Sequence, residues 1–368
     1  MDLAWRTPGC THLEVGEPDF GTPVHIQAGA IEAIYEGKTR YTPNAGIMEL
    51  REAITNKVER VNGFSALPED VIVSAGAVEA IYASLVTVLN PGDEILLPDP
   101  GWPNFRMMAD LLAATAVYYP LKQGNAFLPD PEEIGRLITP RTKVILVNFP
   151  SNPLGSVANE TLIRDLYEVA RKHDLLIVSD ECYDQITFGT TSPSPKAIDE
   201  DGRVIATYSF SKTYAMTGWR VGYAVVPSSI SGTLSKVQEP LISCVSGPAQ
   251  YAAVAALSGP QNCVTEMVSA YQARRDAALA ACDHHSLTYL VPQGAFYLWI
   301  SIENRESTNF ALDLVARKQV ALAPGSAFGA QGDGWVRVSL ANSAESVVHG
   351  INAIAELMIE LNSQEMKV

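Results

Sequence analysis

The segment SFSKTYAMTGWRVG, residues 209–222, places one amine among groups that bind anions. Lys212 follows the hydroxyls of Ser209 and Ser211, and Arg220 comes eight positions later (220 − 212 = 8). A lysine amine can form a Schiff base with an aldehyde, whereas hydroxyls and a forked guanidinium suit a phosphate dianion. A lysine alone after a strand would be read as a solvated surface residue. The combination predicts instead a covalent bond to a phosphorylated aldehyde.

Two other motifs supply groups that could hold such a molecule. Asp180 ends the apolar run LLIVSD, and Tyr183 follows three residues later. A buried carboxylate there could keep a pyridine nitrogen protonated and so make the ring an electron sink; a helix cap is the alternative. After the strand-like run VIVS, Ala77 and Val78 begin a helix, whose free backbone amides could cradle a phosphate.

A tryptophan and an asparagine lie in turns that follow other apolar runs. Trp102 stands in PDPGWPNF, where its indole either packs in the hydrophobic core or stacks on a flat ring. Asn152 stands in NFPSNPLG, at the end of the run VILVNF. Since ligands of open α/β sheets bind beyond the carboxyl ends of the strands, we expect these groups to converge.

The elements that must position these residues alternate along the chain. Short apolar runs are predicted as strands, including 71–74, 94–99, 144–149, 175–180 and 204–209, and helical stretches such as 78–89 and 158–174 separate them. We expect Asn159 to cap the second of these helices, with Leu162, Leu166 and Val169 on one face. Near-continuous apolar strands that alternate with helices indicate an α/β fold with a mostly parallel sheet covered on both faces.

The alternation of strands and helices stops after residue 250, where a long amphipathic segment leads to a few strands and a final helix. We therefore predict three parts: an N-terminal arm over 1–40, a large domain over 41–263, and an interdomain helix with a small α/β domain over 264–368.

Composition narrows the function classes. The formal charge of −15 disfavours nucleic acid and anionic membranes as partners. Five cysteines without a CxxC pair suit a reducing compartment. No apolar run reaches the length of a membrane span, and no secretory leader is evident. We predict a cytoplasmic protein with no membrane partner and no metal site.

The motifs together resemble those of the class I/II aminotransferases, which have the type I fold of pyridoxal-phosphate enzymes. The resemblance spans nearly the whole chain, from LEVGEPDFGTP and RYTPNAGIMELREAI to PQGAFYLWI, APGSAFG and WVRVSLA. It implies a pyridoxal 5'-phosphate enzyme that moves an amino group from an amino acid to a 2-oxo acid.

The resemblance assigns a role to each cofactor-binding position. Lys212 resembles the Schiff-base lysine, and Asp180 resembles the partner of the ring nitrogen. Tyr183 and Asn152 are similar to the pair that binds the ring's phenolic oxygen, and Trp102 to the stacking aromatic residue. The phosphate cup matches Ala77, Val78, Ser209, Ser211 and Arg220.

The substrate and the second subunit are implied in the same way. Arg337 resembles the arginine that grips the α-carboxylate, with the backbone of Gly16 closing over it and Asn152 beside it. Tyr41 is similar to the tyrosine that reaches the phosphate of a neighbouring subunit, which implies a homodimer with shared sites. Some aspartate- and prephenate-type members carry a lysine at the position of Val78, so a preference for dicarboxylic substrates is not expected here.

Alternatives remain at the level of the reaction. A lyase, cyclase or oxidase acting through the same quinonoid intermediate would use the same residues, because fold and cofactor do not fix the reaction. A non-catalytic regulator on this fold would need a further binding module. A dinucleotide-dependent oxidoreductase would need a GxGxxG turn after a strand, and the sequence has none.

Overall fold

The structure of the protein is a computed structural model that describes residues 2–303 and 305–365. Its helices in the described ranges are α1 Asp2–Arg6, α2 Val24–Tyr35, α3 Met48–Lys57, α4 Ala77–Val88, α5 Asn104–Leu111, α6 Pro131–Leu137, α7 Glu160–Lys172, α8 Phe210–Thr213, α9 Ser228–Leu241, α10 Gly247–Ser258, α11 Asn262–His284, α12 Ser307–Lys318 and α13 Ala344–Glu365.

The strands of the same ranges are β1 Thr11–His12, β2 Val71–Ser74, β3 Glu94–Asp99, β4 Thr115–Pro120, β5 Thr142–Asn148, β6 Leu176–Asp180, β7 Val204–Ser209, β8 Gly222–Val225, β9 Tyr289–Leu290, β10 Tyr297–Ser301, β11 Val320–Ala321, β12 Ala323–Pro324 and β13 Trp335–Ser339.

A seven-stranded sheet forms the centre of the molecule. Its strand order is β2-β8-β7-β6-β5-β3-β4, and every pair is parallel except those that involve β8. The residues of β2, β3 and β8 are all buried, as the near-continuous apolar runs require. The predicted α/β fold with a mostly parallel sheet is confirmed.

The sequence located most of these elements well, but it placed the buried face of α7 slightly wrong. The side chain of Asn159 accepts a hydrogen bond from the Leu162 amide, as the predicted cap requires. The buried face centres on Ile163, Leu166, Tyr167 and Ala170, whereas Leu162 and Val169 lie at its margins. The apolar residues of this helix cover a wide stripe, so its centre depends on how the helix packs.

A smaller sheet lies in the C-terminal part of the chain. Its order is β12-β13-β10-β9, with all pairs antiparallel, and α11 packs against α13 beside it. Its core contains large buried side chains such as Phe296, Phe310 and Leu314.

The N-terminal arm contacts both parts of the molecule. Thr11 and His12 form a parallel pair with β11 in the C-terminal part. Further along, α2 packs on α10 so closely that a Cβ at Gly29 would lie 2.8 Å from that of Ala255. The chain from Leu13 to Phe20 therefore passes between two anchored segments. None of the helices in the described part of the chain is long and apolar enough to cross a membrane.

Candidate active site

A cavity of about 340 Å³ lies at the carboxyl ends of the parallel strands. It is lined by every residue predicted for the site except Tyr41: Gly16, Ala77, Val78, Trp102, Asn152, Asp180, Tyr183, Ser209, Ser211, Lys212, Arg220 and Arg337. Cys182, Thr217 and Tyr297 complete the lining. The volume is in the range of small-molecule pockets.

One end of the cavity is built to bind an anion. Helix α4 begins after Gly76, which has a φ of +87° and provides no side-chain cap for the first amides of the helix. A Cβ at Gly222 would lie 2.7 Å from the Ala77 nitrogen, so β8 approaches this helix end at a distance that only glycine permits. The helix start therefore presents free N–H groups and the positive end of its dipole.

Arg220 brings a fixed positive charge to the same end. Its guanidinium donates to the carbonyl of Thr217 at 2.7 Å and to that of Ala75 at 3.0 Å, which ties it to the loop before α4. Its φ of +55° lies in the left-handed region, an uncommon conformation for a residue with a side chain. Ser209 caps α8 by accepting a hydrogen bond from the Ser211 amide at 3.1 Å, and its hydroxyl proton is left for another acceptor.

Lys212 lies in the short helix α8 and projects into the cavity. Its ammonium donates to the backbone carbonyl of Gly16 in the arm. Burial lowers the pKa of Lys212, and the charges of Arg337 and Arg220 lower it further, although Cys182 and Glu17 act in the opposite direction. A lowered pKa makes the neutral amine, the nucleophilic form, easier to obtain.

Asp180 is buried at the end of β6, facing the same cavity. Burial raises its pKa to about 6, against the lowering influence of Cys182, whose amide donates to the Asp180 carboxylate at 3.3 Å, and of the Lys212 charge. The contact with Cys182 resembles a helix cap, but no regular helix begins there.

Tyr183 and Asn152 approach the cavity from two loops. The Tyr183 hydroxyl is 2.7 Å from the hydroxyl of Tyr297, and burial raises its pKa well above the usual value. The backbone amide of Asn152 donates to the side-chain oxygen of Asn148 at 2.8 Å, which holds Asn152 in place. Its side-chain oxygen accepts from Arg337, also at 2.8 Å, an orientation that leaves its NH₂ group to donate to a ligand.

Arg337 is a buried cation on β13. It donates to Asn152 and, at 2.6 Å, to the carbonyl of Glu14, and its guanidinium lies 4.2 Å from the centre of the Tyr297 ring. The Arg337 side chain has no carboxylate within ion-pair distance among the described residues, and its Nε has no hydrogen-bond partner there. The nearby carboxylate of Glu14 pairs with His12. A buried charge without a counter-ion is costly, so this site favours an anionic ligand.

Sequence reasoning missed three of the residues that line the cavity. Cys182 comes two residues after Asp180, and Tyr297 lies inside PQGAFYLWI, but nothing in their residue types indicated a role. Thr217 lies in the lysine motif. Tyr41 is 90% exposed and does not line the cavity of its own chain.

The fold and this cavity define an enzyme site for a small molecule that carries an anionic group and can react with an amine. The family model "Aminotransferase class I and II" matches residues 8–354. The aspartate aminotransferase of Pyrococcus horikoshii is 36% identical, with 94% of this chain and 90% of that protein covered. Aromatic-amino-acid aminotransferase 2 of Thermococcus litoralis is 33% identical, with 98% and 94% covered.

A solved structure agrees with these relatives. The crystal structure of the aromatic aminotransferase from Pyrococcus horikoshii superposes with a TM-score of 0.93 at 33% identity, covering 98% of this chain and 99% of that one. The chain belongs to the class I and II aminotransferases. It is an enzyme that uses pyridoxal 5'-phosphate to move an amino group between an amino acid and a 2-oxo acid.

The residues present fit that cofactor. The uncapped amides at the start of α4 and the Arg220 charge suit a phosphate. The buried Asp180 carboxylate is a group of opposite charge, and it suits a protonated ring nitrogen. The donor set thus matches a molecule that is anionic at one point and cationic at another.

Proposed function

We propose that the cavity holds pyridoxal phosphate on Lys212 and receives the amino acid against Arg337. When bound, the cofactor supplies an electron sink for the charge left at the substrate's Cα. The Ala77 and Val78 amides, Ser209, Ser211 and Arg220 would bind its phosphate. Asp180 would hold its ring nitrogen, Trp102 would stack on its ring, and Tyr183 and Asn152 would donate to its ring oxygen.

Lys212 would also act as the general base of the reaction. Its Nζ is held over the cavity by the Gly16 carbonyl, and its lowered pKa favours the neutral amine. In that form Nζ can remove the proton from Cα of the substrate. A positioned base typically contributes about 10²–10⁴ in rate.

The proposal rests above all on Arg337, a buried cation without a carboxylate partner among the described residues. Arg337 is only 6% exposed, its Nε has no hydrogen-bond partner among the described residues, and none of them offers it a carboxylate. Every amino acid and 2-oxo acid brings such a carboxylate. A forked, charge-assisted pair would compensate the buried charge and place the substrate's Cα near Lys212.

We propose that neutral and aromatic side chains are accepted and that aspartate and glutamate are not strongly favoured. The cations of the cavity lining are Lys212, Arg220 and Arg337, each of which has a proposed partner other than a side-chain carboxylate. Val78 contributes no charge at the cavity mouth. A second cavity, which shares Trp102 and Arg337 with the first, is walled mostly by apolar residues such as Leu312, Leu322 and Phe328. The relatives carry both aspartate and aromatic names.

We propose that the enzyme is a homodimer in which Tyr41 reaches the phosphate of the partner's cofactor. Helix α2 and the loop after it expose large apolar side chains that an isolated chain would leave in water: Val24 80%, Ile31 52%, Ile34 54%, Tyr35 87% and Tyr41 90%. A surface of this kind is typical of an interface.

The three-part division at residues 40 and 263 stays a prediction, and the separation of the seven-stranded sheet from the four-stranded sheet supports it. A cytoplasmic location also stays a prediction. All five cysteines are free thiols, which suits a reducing compartment.

Reduction of the holoenzyme with borohydride tests the central assignment. We expect the reduced cofactor on Lys212 alone, and Lys212→Ala should fold, bind cofactor noncovalently and lose turnover. Lys57 is the informative control, because it is a buried lysine that forms an ion pair with Asp184 and does not line the cavity. Label on Lys57 or any other lysine would overturn the proposal.

A further inference from the structure

Tyr297 lies where three parts of the site meet. It is the first residue of β10, it is 1% exposed, and it pairs with Ser339 on β13, two positions beyond Arg337. Its side chain contacts Tyr183, Arg337 and the backbone of Gly16.

The hydroxyl of Tyr297 pairs with that of Tyr183 at 2.7 Å. Burial raises the pKa of both phenols, so both carry their protons near neutral pH. Each hydroxyl has one proton, and only one of the two can donate across the contact. If Tyr183 donates to a ligand oxygen, its own oxygen must accept the proton of Tyr297. A hydroxyl that accepts such a bond becomes a better donor, because hydrogen bonds in a chain polarise one another.

The ring of Tyr297 supports the substrate arginine. The guanidinium carbon of Arg337 lies 4.2 Å from the ring centre, within cation–π distance. The same hydroxyl also explains why position 16 is a glycine, since a Cβ there would lie 2.2 Å from the Tyr297 oxygen. The segment around Gly16 carries the two carbonyls that accept from Arg337 and Lys212. Tyr297 thus contacts Tyr183, Arg337 and the segment around Gly16 together.

We propose that Tyr297 is a positioning residue with two separable functions: its hydroxyl donates to Tyr183, and its ring holds the Arg337 guanidinium. The inference rests on the proposed function of Tyr183 and Arg337. It predicts that the two functions respond to different substitutions, because phenylalanine keeps the ring and loses only the hydroxyl.

Two variants and a control separate these functions. Tyr297→Phe removes the bond to Tyr183, and Tyr297→Leu also removes the ring. Tyr119→Phe is the matched control, because Tyr119 is another buried tyrosine whose hydroxyl donates to a backbone carbonyl, that of Leu146, at 2.7 Å in the core away from the cavity.

The first measurement is the pH midpoint of the visible absorption change of the holoenzyme. Tyr297→Phe should raise this midpoint by about 0.3 pH unit, because the bond from Tyr183 to the ligand remains and loses only the roughly 10–30% that polarisation by Tyr297 adds. A weaker donor at Tyr183 leaves the bound cofactor's titrating proton more tightly held. Tyr119→Phe should leave the midpoint unchanged. A role in packing alone would not move it, so a wild-type midpoint in Tyr297→Phe overturns the function of the hydroxyl.

The second measurement is the affinity for 3-phenylpropionate, a carboxylate without an amino group, determined by calorimetry on the holoenzyme. Tyr297→Phe should bind it within about twofold of the wild type, whereas Tyr297→Leu should bind it about tenfold more weakly, in keeping with a desolvated cation–π contact. If the leucine variant does not fold, Tyr297→Met replaces it. Wild-type affinity in either aliphatic variant overturns the function of the ring. Failure of the proposed function itself would be seen separately, as borohydride label on a lysine other than Lys212.

Discussion

Arg337 donates to the side-chain oxygen of Asn152 across 2.8 Å, although 185 positions separate the two residues. The bond joins β13 of the small sheet to the loop after β5 of the large one. It orients the amide of Asn152 and leaves the buried guanidinium without a carboxylate. Substrate binding and cofactor binding therefore share one hydrogen-bonded unit.

Arg337→Ala should weaken all amino donors together. The guanidinium is proposed to bind the α-carboxylate, which every donor has, so kcat/KM should fall by about 10²–10³ for phenylalanine, leucine and aspartate alike. Arg337→Lys should recover little, because a lysine cannot form the forked pair. Steady-state kinetics with one 2-oxo acid acceptor measure this. A loss confined to one donor would assign Arg337 to side-chain recognition instead.

Asp180→Asn should cost activity and stabilise the cofactor-free protein. Loss of a charge beside the ring nitrogen should lower kcat by about 10²–10³. In the folded state burial raises the Asp180 pKa to about 6, above the unfolded value of about 3.9, so the ionised form is destabilising. Ionised Asp180 therefore lowers the free energy of unfolding by about 3 kcal/mol. This loss is fully present above pH 6 and disappears as the pH falls towards 4.

Urea unfolding of the cofactor-free proteins tests the sign of that effect. Asp180→Asn should exceed the wild type in unfolding free energy at pH 7.5, and the difference should shrink at pH 4.5. Asp110→Asn is the control, since Asp110 is an exposed carboxylate on α5. If Asp180→Asn is less stable than the wild type at pH 7.5, the bond from the Cys182 amide makes Asp180 a structural cap.

The absence of a further cation in the described cavity lining predicts broad donor specificity. The kcat/KM for aspartate should not exceed that for phenylalanine, leucine, methionine or arginine by more than about tenfold. A hundredfold preference for aspartate would correspond to about 2.7 kcal/mol and would require a cation from elsewhere, such as the partner subunit.

Val78→Lys offers the complementary experiment. Val78 is 38% exposed and lines the cavity, so a lysine there would be accommodated without burying its charge. The ratio of kcat/KM for aspartate to that for phenylalanine should rise about tenfold, whereas Val78→Met, of similar length and no charge, should leave it unchanged. An unaltered ratio in Val78→Lys would mean that the substrate's side chain points away from α4.

Mixing two defective subunits tests whether the sites are shared. Lys212→Ala removes the amine from its own site, and Tyr41→Ala removes a contact from the partner's site. In a mixed dimer, one site would then have both residues. Equal mixing should restore about a quarter of the wild-type sites, since half of the dimers are hybrids with one intact site each. Sedimentation should report a dimer. A monomer with full activity, or no restoration on mixing, would contradict shared sites.

Much of the fold and site could be predicted because the relevant signals are local. The apolar runs located the strands, and Asp180 and Ser209 follow from the rule that parallel strands end at one edge of a sheet. The turn of small residues at the start of α4 and the lysine motif each belong to a single stretch of chain. The buried face of α7 could not be predicted as well, because its apolar stripe is wide and the packing of Ile163 selects its centre.

The sequence by itself determined the chemistry of this protein: an amine, a carboxylate and an anion cradle, in the order that family members share. Only the tertiary structure decided how these groups are held. The pairing of β1 with β11 carries Glu14 and Gly16 to Arg337 and Lys212, and the antiparallel pairing of β10 with β13 sets Tyr297 beside Arg337 and Tyr183. The contacts of Glu14 with Arg337, of Gly16 with Lys212 and of Tyr183 with Tyr297 join residues more than a hundred positions apart. They depend on the packing of whole elements, and no local pattern encodes them.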